Sequence, residues 1–316
     1  MRLARFAAVR TASACLTLLA VSIIVFFAIN LVPGRYEQLA LGQTATPEAR
    51  ARLAEKYGFD KPLPEQYVRW VALALRGNLG DSVFIHKPVT SAVFERLEPT
   101  LLLMLLAETV ALGVGIPTGV VSALRRGSWI DQSFTFITLA AVSVPEFWLG
   151  LNLIILFAVQ LHWLPSSGYL SLTEGHLTTF RYLLMPAVSL GLIHSALIAR
   201  MTRSAMLEVL GQDYVRTARA KGATPRLVTY RHALKNAMVP ILTVIGLSVA
   251  GLLGGATVAE TVFAIPGVGL LVVNSVSRRD FPIIQGVLLL AAVVNVAINL
   301  LLDLMYLLVD PRIRYA

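Results

Sequence analysis

From Thr11 to Leu31 the chain reads TASACLTLLAVSIIVFFAINL, an uncharged apolar stretch that follows Arg2, Arg5 and Arg10. A bilayer core about 30 Å thick is crossed by roughly 20 such residues in helical form. The stretch exceeds the roughly 7–15 apolar residues of a signal-peptide core, and no small-x-small cleavage site follows it, so it reads as a retained signal anchor. Downstream, further apolar runs extend from about Thr100 to Leu124, Phe134 to Leu161, Leu183 to Ala199, Met238 to Ala259 and Ile283 to Val309. The chain is therefore read as all-α, a polytopic integral membrane protein with six transmembrane helices. Composition agrees: 56% of its 316 residues are hydrophobic and 14% charged, against about 25% charged in soluble domains. That excludes a soluble globular enzyme.

The formal net charge is +9, from 27 Lys+Arg against 18 Asp+Glu. Its placement explains it. Arg2, Arg5 and Arg10 precede the first run, Arg125 and Arg126 follow the second, and Arg312 and Arg314 follow the sixth. Between the fourth and fifth runs stand Arg200, Arg203, Arg216, Arg219, Lys221, Arg226, Arg231 and Lys235, opposed by Glu208 and Asp213. Basic residues near helix ends are held on the cytoplasmic side, so both termini are expected there, and the charge is a topology signal with no nucleic-acid partner. The single cysteine, Cys15, excludes an intrachain disulfide and thiolate metal sites.

The expected organisation is a signal-anchor helix over 1–32, an extracytoplasmic segment over 33–99 and a five-helix core over 100–316, with a cytoplasmic loop at about 200–237. In the outer segment Leu63, Tyr67, Trp70, Val71 and Ala74 recur at near-helical spacing, followed by turn residues at Gly77-Asn78 and Gly80-Asp81. A shorter outer loop is expected from about His162 to Tyr182, with Pro165, Gly168 and Gly175 as breakers.

The inner loop is the most informative segment. Asp213 is a candidate N-cap, Tyr214 to Lys221 suit two helical turns, and Gly222 suits a left-handed terminator. Thr224 can then cap and Pro225 start a second helix from Arg226 to Ala237. Only Thr217, Ala218 and Ala220 separate the charges of the first piece, so one side of it can approach another protein closely.

Asp213-Tyr214-Val215-Arg216-Thr217-Ala218-Arg219-Ala220-Lys221-Gly222, with Tyr230-Arg231-His232-Ala233-Leu234-Lys235-Asn236-Ala237 and Pro240, resembles the cytoplasmic loop of ABC importer permeases. The version found in the dipeptide, oligopeptide and nickel permease family is the most similar. Leu31-Val32-Pro33-Gly34, Tyr57-Gly58-Phe59-Asp60-Lys61-Pro62-Leu63 and Arg76-Gly77-Asn78-Leu79-Gly80 resemble that family's first outer segment. Ala259 to Gly269, Arg279-Asp280-Phe281-Pro282 and Asp310-Pro311-Arg312-Ile313-Arg314-Tyr315 are also similar to it. Arg216 and Lys235 stand where the general permease pattern has Glu and Pro, a departure ordinary for the peptide branch.

The resemblance implies a type I ABC importer permease fold in a bacterial or archaeal inner membrane. It implies a second homologous permease, two ATP-binding subunits that bind ATP and Mg, an extracytoplasmic solute-binding protein, and a di- or oligopeptide cargo, with a nickel chelate or another small solute as the alternative. It assigns coupling to the ATPase to Asp213, Tyr214, Arg216, Ala218, Arg219, Ala220, Lys221, Gly222, Thr224, Pro225 and Arg226. It also makes Arg35 to Glu98 and Phe263 to Pro282 candidate contacts for the binding protein.

No Gly-Lys dipeptide occurs, so the P-loop is missing. No H-E-x-x-H, C-x-x-C or G-x-S-x-G motif occurs, and the five histidines are scattered. No catalytic, cofactor or metal site is therefore expected in this chain. A proton-driven carrier is the rival reading, with Glu108, Glu146 or Glu260 as proton site.

Glu108, Glu146, His194, Glu260 and Asp303 fall in or beside apolar runs, where a mid-membrane charge costs about 2.5–3.5 kcal/mol. Asn295, Asn299 and Asp303, four apart, share one helix face. Glu108, Glu146, Asn295, Asn299 and Asp303 are candidates for the polar wall of a translocation path, interhelical hydrogen bonding being the alternative. Gly115-x-x-x-Gly119 and Gly251-x-x-x-Gly255 fit either close packing within the chain or an interface with a second permease. Pro117, Pro145 and Pro186 are candidate kinks.

Overall fold

The computed structural model describes residues 2–31, 46, 48, 61–82 and 84–309. Val32-Pro33-Gly34, Arg35, Tyr57 to Asp60 and Asp310 to Tyr315, Arg312 and Arg314 included, lie outside the described residues. The described chain is built of helices: α1 (Arg2–Asn30), α2 (Leu63–Ala74), α3 (Val89–Phe94), α4 (Leu97–Leu124), α5 (Trp129–Ser143), α6 (Glu146–Gln160), α7 (His176–Leu210), α8 (Asp213–Ala220), α9 (Pro225–Val262), α10 (Val268–Arg278) and α11 (Phe281–Val309). In five places the helices are long and apolar enough to cross a membrane, and α5 with α6 makes a sixth if taken as one broken span.

That break corrects the expectation of one helix from Phe134 to Leu161. The run divides at Val144-Pro145, and its halves are bent by 100°. A proline ring crowds the residue before it out of helical backbone. Val144 is accordingly extended, at φ −85° and ψ 125°, and Pro145 caps α6. Pro117, Pro186 and Pro240 instead lie inside continuous helices. Helix α7 runs 35 residues, well beyond the expected Leu183 to Ala199, so the loop before it ends at Gly175 and not at Tyr182. Helix α10 falls in a stretch for which no helix is expected.

Contacts divide the chain into two compact units, Met1–Glu98 with Leu270–Val296 and Pro99–Gly269 with Ala297–Ala316. In the first, the spacing from Leu63 to Ala74 is realised as α2, and Tyr67 and Trp70 pack on α1. The Tyr67 hydroxyl lies 2.8 Å from Ser22 Oγ, and Phe26 meets the Tyr67 ring edge-on at 5.4 Å. Gly77 and Gly80 take the left-handed backbone expected of turns, at φ +79° and +88°.

The second unit is organised around α4, α7 and α9. Leu103, Ala107, Leu183, Leu190, Leu252, Ala256, Phe263 and Ile265 form one continuous buried core. Helices α4 and α7 approach to backbone distance. A methyl group at Gly119 would lie 2.5 Å from the Ala199 carbonyl oxygen, and one at Gly191 2.5 Å from that of Ala107. Gly115 and Gly119 thus pack within the chain, and so do Gly251, facing the His194 ring, and Gly255, facing Leu190 and Glu146.

Candidate functional site

The segment between α7 and α9 has the helix, glycine turn and helix expected of it. One detail differs: Gln212 occupies the N-cap position of α8 without a side-chain cap, and Asp213 is the first helical residue. Gly222 stops α8 at φ +82°, a conformation glycine reaches without the penalty of a Cβ. Thr224 then accepts a hydrogen bond from Leu227 N at 3.4 Å and Pro225 opens α9, the proline needing no partner for a missing N–H. Residues Val228–Leu234 are π-helical and run without interruption into the membrane-length part of α9. A displacement at the start of α9, on which α8 packs across the Gly222 turn, therefore runs into the membrane-length part through continuous helix.

The segment turns one small apolar face inward. Val215 is completely buried and Val228 and Thr229 are buried beside it, while α8 packs on the π-helical stretch. Ala218 is half-buried. Asp213, Tyr214, Arg216, Arg219, Ala220, Lys221, Gly222, Thr224, Pro225 and Arg226 are all exposed. The Arg216–Asp213 pair, 3.5 Å apart with side chains 76% and 94% exposed, contributes little in such solvent. The result is an unencumbered, mostly cationic surface on a packed base.

Among the intramembrane polar residues the structure joins some and leaves others apart. Ser248 on α9 donates to Glu108 Oε2 on α4 at 2.8 Å and lies 3.1 Å from His194 Nδ1 on α7. The small residues Gly251 and Gly255 continue this face of α9 and make room for His194 and Glu146. Oε1 of Glu108 and Oε1 of Glu146 are buried with no hydrogen-bond partner among the described residues. Glu260 is buried and accepts from Thr100 Oγ1 at 2.5 Å; that hydroxyl in turn accepts from Val268 N. On α11, Asp303 is buried, Asn295 is half-buried with a bond to its own helix at Ala291 O, and Asn299 is exposed.

Sequence reasoning missed a carboxylate held by four hydrogen bonds. Asp131, on α5, accepts from Arg203 Nε at 2.7 Å, Arg203 Nη2 at 2.8 Å, Ser122 Oγ and Gly127 N. Arg203 reads in the sequence only as a topology charge. A local signal for Asp131 does exist, since Ser128-x-x-Asp131 is a capping-box spacing, and Ser128 Oγ accepts from Asp131 N. The pairing across 72 residues has no such signal. In the first unit Ser82 similarly donates to buried Asp280. Much of the stretch from Phe263 to Pro282 is interior, with Phe263, Ile265, Leu271 and Asp280 nearly inaccessible; its exposed residues are Ala264, Pro266, Val273, Asn274, Val276, Ser277, Arg278 and Arg279.

A polytopic all-helical protein with a short helix and glycine turn packed between two of its membrane-length helices has the form of a transport subunit. Comparison with known proteins makes this specific. Residues 115–315 match the family described as binding-protein-dependent transport system inner membrane component, and residues 3–105 match the N-terminal membrane component of such systems; the chain belongs to this family. A probable peptide ABC transporter permease of Sinorhizobium fredii is 47% identical over 93% of this chain and 94% of its own length. A di/tripeptide transport system permease of Pseudomonas aeruginosa is 41% identical over 95% of each. A dipeptide transport system permease of Alkalihalophilus pseudofirmus is 40% identical over 94% of this chain and 96% of its own. The inward-facing MetNI methionine ABC transporter shares the fold, with a TM-score of 0.58 at 20% identity over 69% of this chain and 95% of the other.

Proposed function

We propose that this permease forms, with a second related permease, the path by which di- and oligopeptides enter a bacterial or archaeal cell. Two separate ATPase subunits bind ATP and Mg, and an extracytoplasmic solute-binding protein delivers the cargo. Three relatives with near-complete mutual coverage carry peptide or dipeptide transport in their names, and that observation carries the substrate class. A chain with no phosphate-binding loop contributes motion and a pathway, while its partners contribute hydrolysis.

The chain sits in the inner membrane with both termini cytoplasmic, as the basic residues at helix ends direct. It comprises a signal anchor over 1–32, an outer segment over 33–99 and a core over 100–316. The exposed residues from Asp213 to Arg226 seat in a cleft of an ATPase subunit, which closes on ATP and displaces α8. A switch requires contacts that differ between two states, and a short helix that packs, across a glycine turn, on the first turns of a membrane helix supplies them. Glu108, Glu146, Asn295, Asn299 and Asp303 contribute polar groups to the path.

Replacing Gly222 with Trp tests the coupling role. In the assembled complex reconstituted in liposomes, stimulation of ATP hydrolysis by cargo-loaded binding protein is expected to fall while the chain still inserts. Unchanged stimulation would refute the assignment. Purification of the complex from its native membrane, with mass spectrometry of the ligand held by the captured binding protein, tests the peptide class; a metal chelate there would overturn it.

A further inference from the structure

The seam between α4 and α7 has a four-residue repeat on α7: Gly191, Ser195, Ala199 and Arg203. At the first three rungs the helices meet through backbone, Gly191 against Ala107 and the Ser195 and Ala199 carbonyls against Gly115 and Gly119. Nothing small follows at the fourth. Arg203 there reaches Asp131, whose carboxylate is also held by Ser122 of α4 and by Gly127 N in the turn between α4 and α5. A packed seam of small residues fixes the distance between two helices but resists sliding weakly. A bidentate guanidinium–carboxylate pair, planar on both sides, fixes register as well.

Its position gives this rung a consequence. Arg203 lies ten residues before α8, and the intervening turns pack Ala205 and Met206 against Val120 and Ala123 of α4 and Ala233, Ala237 and Ile241 of α9. The elements that carry the lever thus rest on one plate, bolted at Asp131. The lever's own ion pair cannot serve this purpose, because both partners are mostly in solvent, whereas the Asp131 side chain is 5% exposed and that of Arg203 32%.

Resting on the coupling role proposed above, we infer that Asp131 and Arg203 are positioning residues for coupling. They hold the ends of α4, α5 and α7 in one register, so that displacement of α8 moves these ends together with the start of α9 and is not absorbed by sliding at the α4–α7 seam. Neither residue touches nucleotide or cargo.

The test uses the full complex in liposomes, with binding protein loaded from a tryptic peptide mixture, and reads the ratio of ATP hydrolysis with and without it. Asp131→Asn and Arg203→Gln each leave one charged partner behind; the double variant D131N/R203Q removes both and separates loss of the bolt from the burden of a stranded charge. The double variant is expected to insert and to assemble with its ATPase subunits, yet to lose about five-fold or more of the stimulation ratio, the scale of a typical coupling between distant sites. Arg203→Lys, which keeps charge and loses the planar fork, is expected to lose less. Wild-type stimulation in the double variant would overturn the inference, and so would its failure to insert or assemble, which would make the pair a requirement of folding alone. Gly222→Trp, run alongside, separates the two readings. If it stays coupled, the coupling role of α8 fails; if it uncouples while D131N/R203Q does not, only the bolt fails.

Discussion

Asp131 and Glu146 open the two halves of the same bent pair, one in the first turn of α5 and the other in the first turn of α6. Their surroundings are opposite. Asp131 receives four hydrogen bonds, two of them from a guanidinium, whereas Glu146 lies against Gly255 with Oε1 buried and unbonded among the described residues. A fully bonded carboxylate contributes order, because every group that holds it is held in return. A carboxylate oxygen buried without a partner weakens the fold that contains it.

The largest effect that can break this contrast is Asp131→Ala. Loss of one partner from a buried pair strands the other, and about 3–5 kcal/mol of stability is expected to go, read as a lowered thermal midpoint in detergent; an unmoved midpoint would place Asp131 in the same class as Glu146. Next comes Gly119→Val, which forces a side chain onto the Ala199 carbonyl and should destabilise by about 1–3 kcal/mol. A smaller residue at Thr202, whose Cβ lies 2.6 Å from the same added Cβ, should not rescue that variant, because the backbone carbonyl stays where it is; full rescue would place the strain outside the seam. Glu146→Leu reverses the sign: deleting an unbonded buried acceptor should stabilise by about 1 kcal/mol while peptide uptake falls, and a loss of both would make Glu146 structural. Smallest is Ser248→Ala, expected to cost about 0.6 kcal/mol, the average for hydrogen bonds between membrane helices. Glu108 and His194 should then become more accessible to solvent exchange by NMR.

Much of this architecture is legible in residue order, because the features that reveal it are local. Hydrophobic runs mark the membrane helices, the spacing of Tyr67 and Trp70 marks α2, and Gly222 with Thr224 and Pro225 marks the lever's turn. The bend at Pro145 is also written locally, as a candidate kink, but the unbroken apolar run on both sides conceals that the helix stops there, and Pro117 and Pro186 carry the same signal inside continuous helices. Flanking polar turns of α7 escape a search for hydrophobicity, since a helix continues past the bilayer wherever nothing stops it. Pairings such as Arg203 with Asp131, Ser248 with Glu108 and Thr100 with Glu260 depend on which helices become neighbours, and residue spacing along the chain carries no record of that. The same holds for the glycine pairs: their spacing permits a close approach without naming the partner, which only the fold supplies.

Gly222 has open space where a Cβ would stand, so its side of the turn would accept a larger residue by volume. What excludes one is chirality: an L-amino acid held in this backbone loses roughly 1–2 kcal/mol, and a D-amino acid loses nothing. A semisynthetic permease carrying D-alanine at this position should therefore keep its turn and its transport, whereas its L-alanine twin, identical in composition and mass, should not match it.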